Sequence, residues 1–91
     1  MNSYAVIFHY TTLDFRNNEC QSDNNAVYLY NSREEARTEF NKFCEETLRV
    51  LEEEGLSPEF SLQSPFDCAR ISYPCFGGVE NIEIFVSEVY L

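Results

Sequence analysis

The residues best suited to metal binding or nucleophilic chemistry are one histidine and four cysteines: His9, Cys20, Cys44, Cys68 and Cys75. A structural metal needs ligands at short, regular spacings so that two neighbouring donors reach one ion. Cys68 and Cys75 stand seven positions apart, and the chain holds no C-x-x-C or H-x-x-x-H pair. No metal site is expected, and His9 reads as an ordinary strand histidine near a sheet surface. A nucleophile needs a base and an orienting group, and a cysteine needs a lowered pKa. His9, Cys68 or Cys75 and one of many carboxylates could form such a set only through the fold. No G-x-S-x-G elbow occurs, and neither cysteine lies in a glycine-rich or helix N-terminal setting,. Gly77-Gly78 is the one glycine pair, and no lysine follows it to cradle a phosphate,. Carboxylate pairs for acid–base work abound, but so small a chain is a poor host for a deep pocket. No catalytic residue and no cofactor are therefore expected.

The carboxylates carry the stronger signal. Sixteen Asp and Glu against six Lys and Arg give a net charge of -10, which argues against nucleic acid or an anionic membrane as a direct partner. From Val50 to Leu91 there are eight acids and one base, Arg70, a net of -7. Four of the six bases, Arg33, Arg37, Lys42 and Arg49, precede that stretch with acids three or four positions away. The acids that look uncompensated are Glu52, Glu53, Glu54, Glu59 and Glu83. One account of them is a solubilising surface; the other is a face complementary to a basic partner. Phe85 shares strand parity with Glu83 and Ser87, opposite Ile82, Ile84 and Val86, so it resembles an apolar anchor within a charged rim. Tyr28 and Tyr30 are candidates to extend the same surface.

These residues must be positioned by few elements. Tyr4 to Thr11 is dense in β-branched and aromatic residues on both parities, which predicts a central strand covered on both faces or on one face by a partner. Asp14 to Asn25 is polar, punctuated by Asn17, Asn18, Asn24 and Asn25, and reads as a loop,. Ala26 to Tyr30 is a second strand. Ser32 and Glu35 form an S-x-x-E capping box. Behind them Ala36, Phe40, Phe43, Cys44, Thr47, Leu48 and Leu51 recur at three and four, and Gly55 stands where a C-terminal cap belongs,. The pattern predicts a helix from Arg33 to about Glu54, with Cys44 a small buried hydrophobe. Glu52-Glu53-Glu54 then occupies the end where the macrodipole favours cations, offset in part by Arg49 through contacts with Glu52 and Glu53. Phe60 and Leu62 alternate with polar residues, Ser64-Pro65 interrupts, and Ala69, Ile71 and Tyr73 lead into a turn at Pro74 to Gly78. Ile82, Ile84 and Val86 complete an antiparallel hairpin,. The expected class is α+β: a single long helix packed across a four- to five-stranded antiparallel sheet, order β-β-α-β-β with room for one more short strand.

Ninety-one residues make one small acidic domain spanning 1–91,. Burial of its apolar surface and the conformational entropy of ordering it nearly cancel, each on the order of 140 kcal/mol. A homodimer or a permanent partner would relieve that thin margin. The four cysteines are too sparse for a disulfide scaffold, the start lacks a basic n-region with an apolar core, and no run reaches membrane-span length. A reduced, cytoplasmic protein is expected.

In size, acidity, single-domain strand–helix pattern and lack of catalytic motifs, the chain resembles the small inhibitor proteins of phages and mobile elements, the anti-CRISPR and anti-restriction proteins. The likeness is one of type and assigns no residue a role. It implies a stoichiometric inhibitor that occupies a basic, nucleic-acid-binding surface of a protein target by mimicry. The partner-binding candidates are Glu52, Glu53, Glu54, Glu59, Glu83 and Phe85. Two alternatives stand beside it: an immunity protein or antitoxin against a basic nuclease or toxin, and a homodimeric accessory module that pairs sheets through the exposed parity of its strands.

Overall fold

The structure is a computed structural model that describes residues 2–14, 16, 19–21, 25–63, 67–75 and 78–90. The elements in chain order are β1 (Asn2–Asp14), β2 (Glu19–Gln21), β3 (Ala26–Tyr30), α1 (Arg33–Glu53), β4 (Glu59–Gln63), β5 (Cys68–Cys75) and β6 (Gly78–Tyr90). The six strands make one sheet, in which β2-β1-β6-β5-β4 are neighbours and β3 also pairs with β1. All pairings are antiparallel. β3 runs along Tyr4 to Phe8 and β2 along Thr11 to Leu13, so the two share one side of β1 and the sheet is five strands across. The α+β class and the single helix on an antiparallel sheet are as expected.

The helix begins and ends on local chemistry. The Glu35 amide donates to the Ser32 hydroxyl at 3.1 Å, and Ser32 is extended while the next residue is helical,. At the other end Gly55 adopts φ +82. Its amide donates to the Glu52 carbonyl at 3.0 Å and the Leu56 amide to the Leu51 carbonyl at 3.0 Å, the paired bonds of a Schellman cap. Glu54 is the C-cap residue itself.

Cross-strand partners share a face, so the register assigns two faces to the sheet. Val6, Phe8, Ala69, Ile71, Ile82 and Ile84 meet Ala36, Phe40, Cys44 and Leu51 of α1 in the core. The opposite face carries Ala5, Ile7, His9 and Thr11 from β1, Glu83 and Phe85 from β6, Cys68 and Arg70 from β5, and Val27 and Leu29 from β3. Among the described residues no second helix covers it. β1 is thus covered by α1 on one face, and among the described residues no element covers the other. Ala5 and Thr11 are nevertheless buried, because each is small and flanked on both sides by paired strands.

Two local expectations change. The Asp14 to Asn25 stretch holds the short strand β2, which exists because β1 extends to Asp14 and offers it a ladder; Asn17, Asn18 and Asn24 lie outside the described residues. Pro74 and Cys75 belong to β5 and Gly78 to β6, so the turn is shorter than expected, with Phe76 and Gly77 outside the described residues. Pro74 is tolerated because β4 ends opposite Ser72, leaving its missing N–H no ladder to break on that side,. The Ser64-Pro65 interruption also lies outside the described residues. No helix among the described residues is long and apolar enough to cross a membrane.

Candidate functional site

The sequence-predicted residues fall in three places. Glu52, Glu53 and Glu54 are exposed on the last turn of α1 and beyond it, a turn with no basic residue. Glu59 opens β4 beside Ser57, Ser72, Tyr73, Pro74 and Val79, and its register with Ser72 puts it at the β4 edge of the helix-free face. Glu83 and Phe85 lie side by side on the helix-free face of the sheet. The six residues therefore do not form one continuous face.

Ion pairing also redistributes the charge. Arg70 Nη2 lies 3.0 Å from Glu83 Oε1, so Glu83 is compensated, by a residue 13 positions away that register brings opposite it. Arg49 pairs with Glu53 at 2.8 Å and with Glu46 at 3.6 Å, where Glu52 rather than Glu46 was expected. Arg33 and Arg37 do not serve helix acids; both reach Asp67, at 3.9 and 3.1 Å. Asp67 is mostly buried, 15% exposed, and this clamp ties the start of α1 to the start of β5. Lys42 pairs within the helix, to Glu39 at 3.4 Å. Of the candidate carboxylates, Glu52, Glu54 and Glu59 make no ion pair among the described residues. From Glu45 to Glu54 five carboxylates face one guanidinium, Arg49, a net of -4 on three turns of helix.

A groove of about 340 Å³ opens beside that acidic end, lined by Phe8, Tyr28, Phe43, Glu46, Thr47, Val50, Leu51, Glu54 and Ile82. Its helical wall consists of two rows at a spacing of four. Phe43, Thr47 and Leu51 form the inner row; Glu46, Val50 and Glu54 form the outer. Three rings make its aromatic end. Phe8 meets Phe43 at 5.1 Å and Tyr28 at 5.9 Å, both edge to face, while Tyr28 and Phe43 lie 5.1 Å apart at 33°. Tyr28 is still 45% exposed. Sequence reasoning set Tyr28 and Tyr30 on the Phe85 surface. Their register with Val6 and Tyr4 puts both on the helix face instead, and Val27 and Leu29 are the β3 residues on the Phe85 face, with β1 between them and Phe85. Period two identifies two faces but not which one meets the helix, so the aromatic content of β3 alone could not locate this groove.

At the same end of the sheet, the Tyr73 hydroxyl donates to Glu80. Burial first, then that bond and the Glu80 charge, hold the Tyr73 phenol well above its ordinary range. Tyr10 is raised as well, chiefly by burial and then by Tyr28 and Glu80. A larger cleft of about 570 Å³ lies where β5 begins, lined by Tyr4, Arg33, Asp67, Cys68, Glu83, Phe85, Val86 and Glu88. Its central cations and anions are the Asp67 clamp and Glu83, already paired.

Two of the thiols are shifted away from the thiolate form. Burial pushes the Cys44 thiol up to about 11, and burial followed by Glu83 raises that of Cys68 against the lowering effect of Arg70; an activated thiolate needs the opposite shift. Cys44, Cys68 and Cys75 are free. His9 is half-buried, in register with Glu83. Among the described residues no three His, Cys, Asp or Glu side chains converge as a metal site. No family model matches the chain, and no characterised protein or solved structure matches it either.

Proposed function

We propose that this chain is a non-catalytic protein–protein interaction module whose acidic helix end binds a basic, nucleic-acid-binding surface of a protein target, as a stoichiometric inhibitor of the anti-CRISPR or anti-restriction type would. The observation that carries this reading is the net charge of -4 between Glu45 and Glu54 at a helix C-terminus with no base in its last turn. The macrodipole adds a partial negative charge there. Such an arrangement costs stability, and a cationic partner would relieve it. Reversing Glu52, Glu53 and Glu54 together to Lys tests the proposal. The fold should persist by circular dichroism, while capture of a salt-sensitive, nucleic-acid-competed partner should be lost. Retained capture by the triple variant removes this reading. The partner's own activity then separates an inhibitor of a nucleic-acid-guided or restriction enzyme from an immunity protein or antitoxin.

A second reading rests on a separate observation. On the helix-free face Val27 and Leu29 are 60% and 59% exposed beside Ile7 and Ala5 of β1, with Phe85 on the far side of Ile7, and the charges at its centre, Arg70 and Glu83, neutralise each other. A highly acidic molecule thus keeps one face on which Glu59, without an ion pair among the described residues, stands at the β4 edge, so that two copies would meet at its apolar β1–β3 side with little like-charge repulsion. A strict monomer by sedimentation at high micromolar concentration eliminates the homodimer.

A further inference from the structure

We propose that the groove between α1 and the β1–β3 edge is a socket for one basic side chain of the partner, arginine in preference to lysine. The inference rests on the helix end being the partner-binding surface and adds to it a defined point of entry. The groove offers two things that a guanidinium uses together. Tyr28 and Phe43 supply ring faces, with Tyr28 open to solvent at 45%, and a cation over such a ring is attracted by its quadrupole. Glu46 and Glu54 stand on the rim at the two ends of one helical row, with only Val50 between them. Glu46 shares Arg49 with Glu53, whereas Glu54 has no ion pair among the described residues.

Other occupants fit less well. A phosphate or carboxylate would meet two carboxylates and the negative end of a helix dipole. A purely apolar side chain would fill the floor made by Phe8, Leu51 and Ile82 but would strip water from the rim acids without replacing its hydrogen bonds. A long basic side chain lays its methylene stem along the apolar floor and its head at the rim. The planar guanidinium stacks on rings and forks to carboxylates, which a compact ammonium does not.

The experiment is a titration of the whole chain with hexa-arginine peptide, and in parallel with hexa-lysine, followed by the ring resonances of ¹³C-labelled Phe and Tyr. Hexa-arginine should shift Tyr28 and Phe43 saturably and bind more tightly than hexa-lysine. Tyr28→Ala and Glu54→Gln should each weaken hexa-arginine about two- to five-fold, the size of one exposed cation–π or surface charge contact. Glu34→Gln, which alters the same net charge at the opposite end of α1 and outside the groove, should change nothing. Glu54→Gln keeps the test valid if Tyr28→Ala is poorly folded. Unmoved ring resonances, or equal weakening by Glu34→Gln and Glu54→Gln, overturns the socket. If hexa-arginine still binds in that case and is lost on reversal of Glu52, Glu53 and Glu54, the acidic-surface function survives without the socket. If neither peptide binds at low salt, both fail.

Discussion

Arg70 and Glu83 face each other across the β5–β6 ladder on the sheet face that α1 leaves open, guanidinium to carboxylate at 3.0 Å. Glu83 therefore already has a cationic partner, whereas Glu54 has none among the described residues. Because Arg70 is 59% exposed, the pair is expected to contribute only about 0.2–1 kcal/mol. A double-mutant cycle of Arg70→Ala and Glu83→Ala by urea unfolding should return a coupling in that range, and Glu83→Gln should leave hexa-arginine affinity unchanged. A marked loss of affinity would return Glu83 to the binding surface.

The end of α1 predicts an inverse relation between stability and binding. Glu54→Lys places a cation where the helix dipole wants one and should raise stability by roughly 0.3–1 kcal/mol, while weakening basic ligands. Thermal melts and the peptide titration, made on the same variant, check both signs. Destabilisation by Glu54→Lys would mean that its carboxylate has a structural partner.

Two glycines should respond differently to alanine. Gly55 has open space around its missing side chain and only its positive φ to defend, so Gly55→Ala should cost about 1 kcal/mol. At Gly78 a Cβ would run into the backbone carbonyl of Leu13, and the β1–β6 ladder must shift to admit it. Gly78→Ala should cost roughly 2–4 kcal/mol, the range of overpacking plus lost ladder bonds. Equal unfolding midpoints for the two variants would contradict the register at Asp14 and Gly78.

Stability should fall in alkali. Tyr10, Tyr30 and Tyr73 all have folded-state pKa values raised above 10.0, by burial first in each case. Their contribution is fully present below the unfolded pKa near 10 and is lost as pH rises from there toward the folded values, because unfolding then releases protons. The slope is at most about 1.4 kcal/mol per pH unit for each tyrosine. Phenolate absorbance against pH should show Tyr73 ionising only with loss of the fold, and Tyr73→Phe should flatten the decline. An early, reversible titration of Tyr73 in the folded protein would refute the burial argument.

Cys44, raised to about 11 by burial on the helix stripe, should resist alkylation at pH 8 until denaturant is added. Mass spectrometry of iodoacetamide-treated protein reads this directly. Rapid modification of Cys44 in the native state would place α1 away from the sheet.

The sequence disclosed those features that are decided by neighbours along the chain. Ser32, Glu35 and Gly55 delimit α1 because caps are local, and the alternation of Ile82, Ile84 and Val86 marks a core face because period two is local. What it concealed depends on partners far away. β2 is three residues of polar chain made into a strand by β1. Glu83 looked uncompensated because Arg70 reaches it only through the hairpin register. Tyr28 was placed on the wrong face because nothing within Ala26–Tyr30 says where the helix will lie. The groove draws its rings from β1, β3 and α1, and its wall uses Phe43, which helical spacing alone had placed in the core stripe.

The long β1–β6 ladder also bears on how the molecule is made. Phe8 and Ile84 are register partners 76 residues apart, and β6 is the strand that joins β1 to the β5–β4 side of the sheet. During synthesis α1 and the β1–β3 hairpin can form early, and β4 and β5 can emerge, but the apolar face of β1 cannot join the full core until β6 has left the ribosome. Closing so distant a pair is slow compared with helix or hairpin formation. A nascent chain arrested before Gly78 therefore exposes Val6, Phe8, Ile71 and Phe40 together, and the step that ends this vulnerability is the arrival of the last strand.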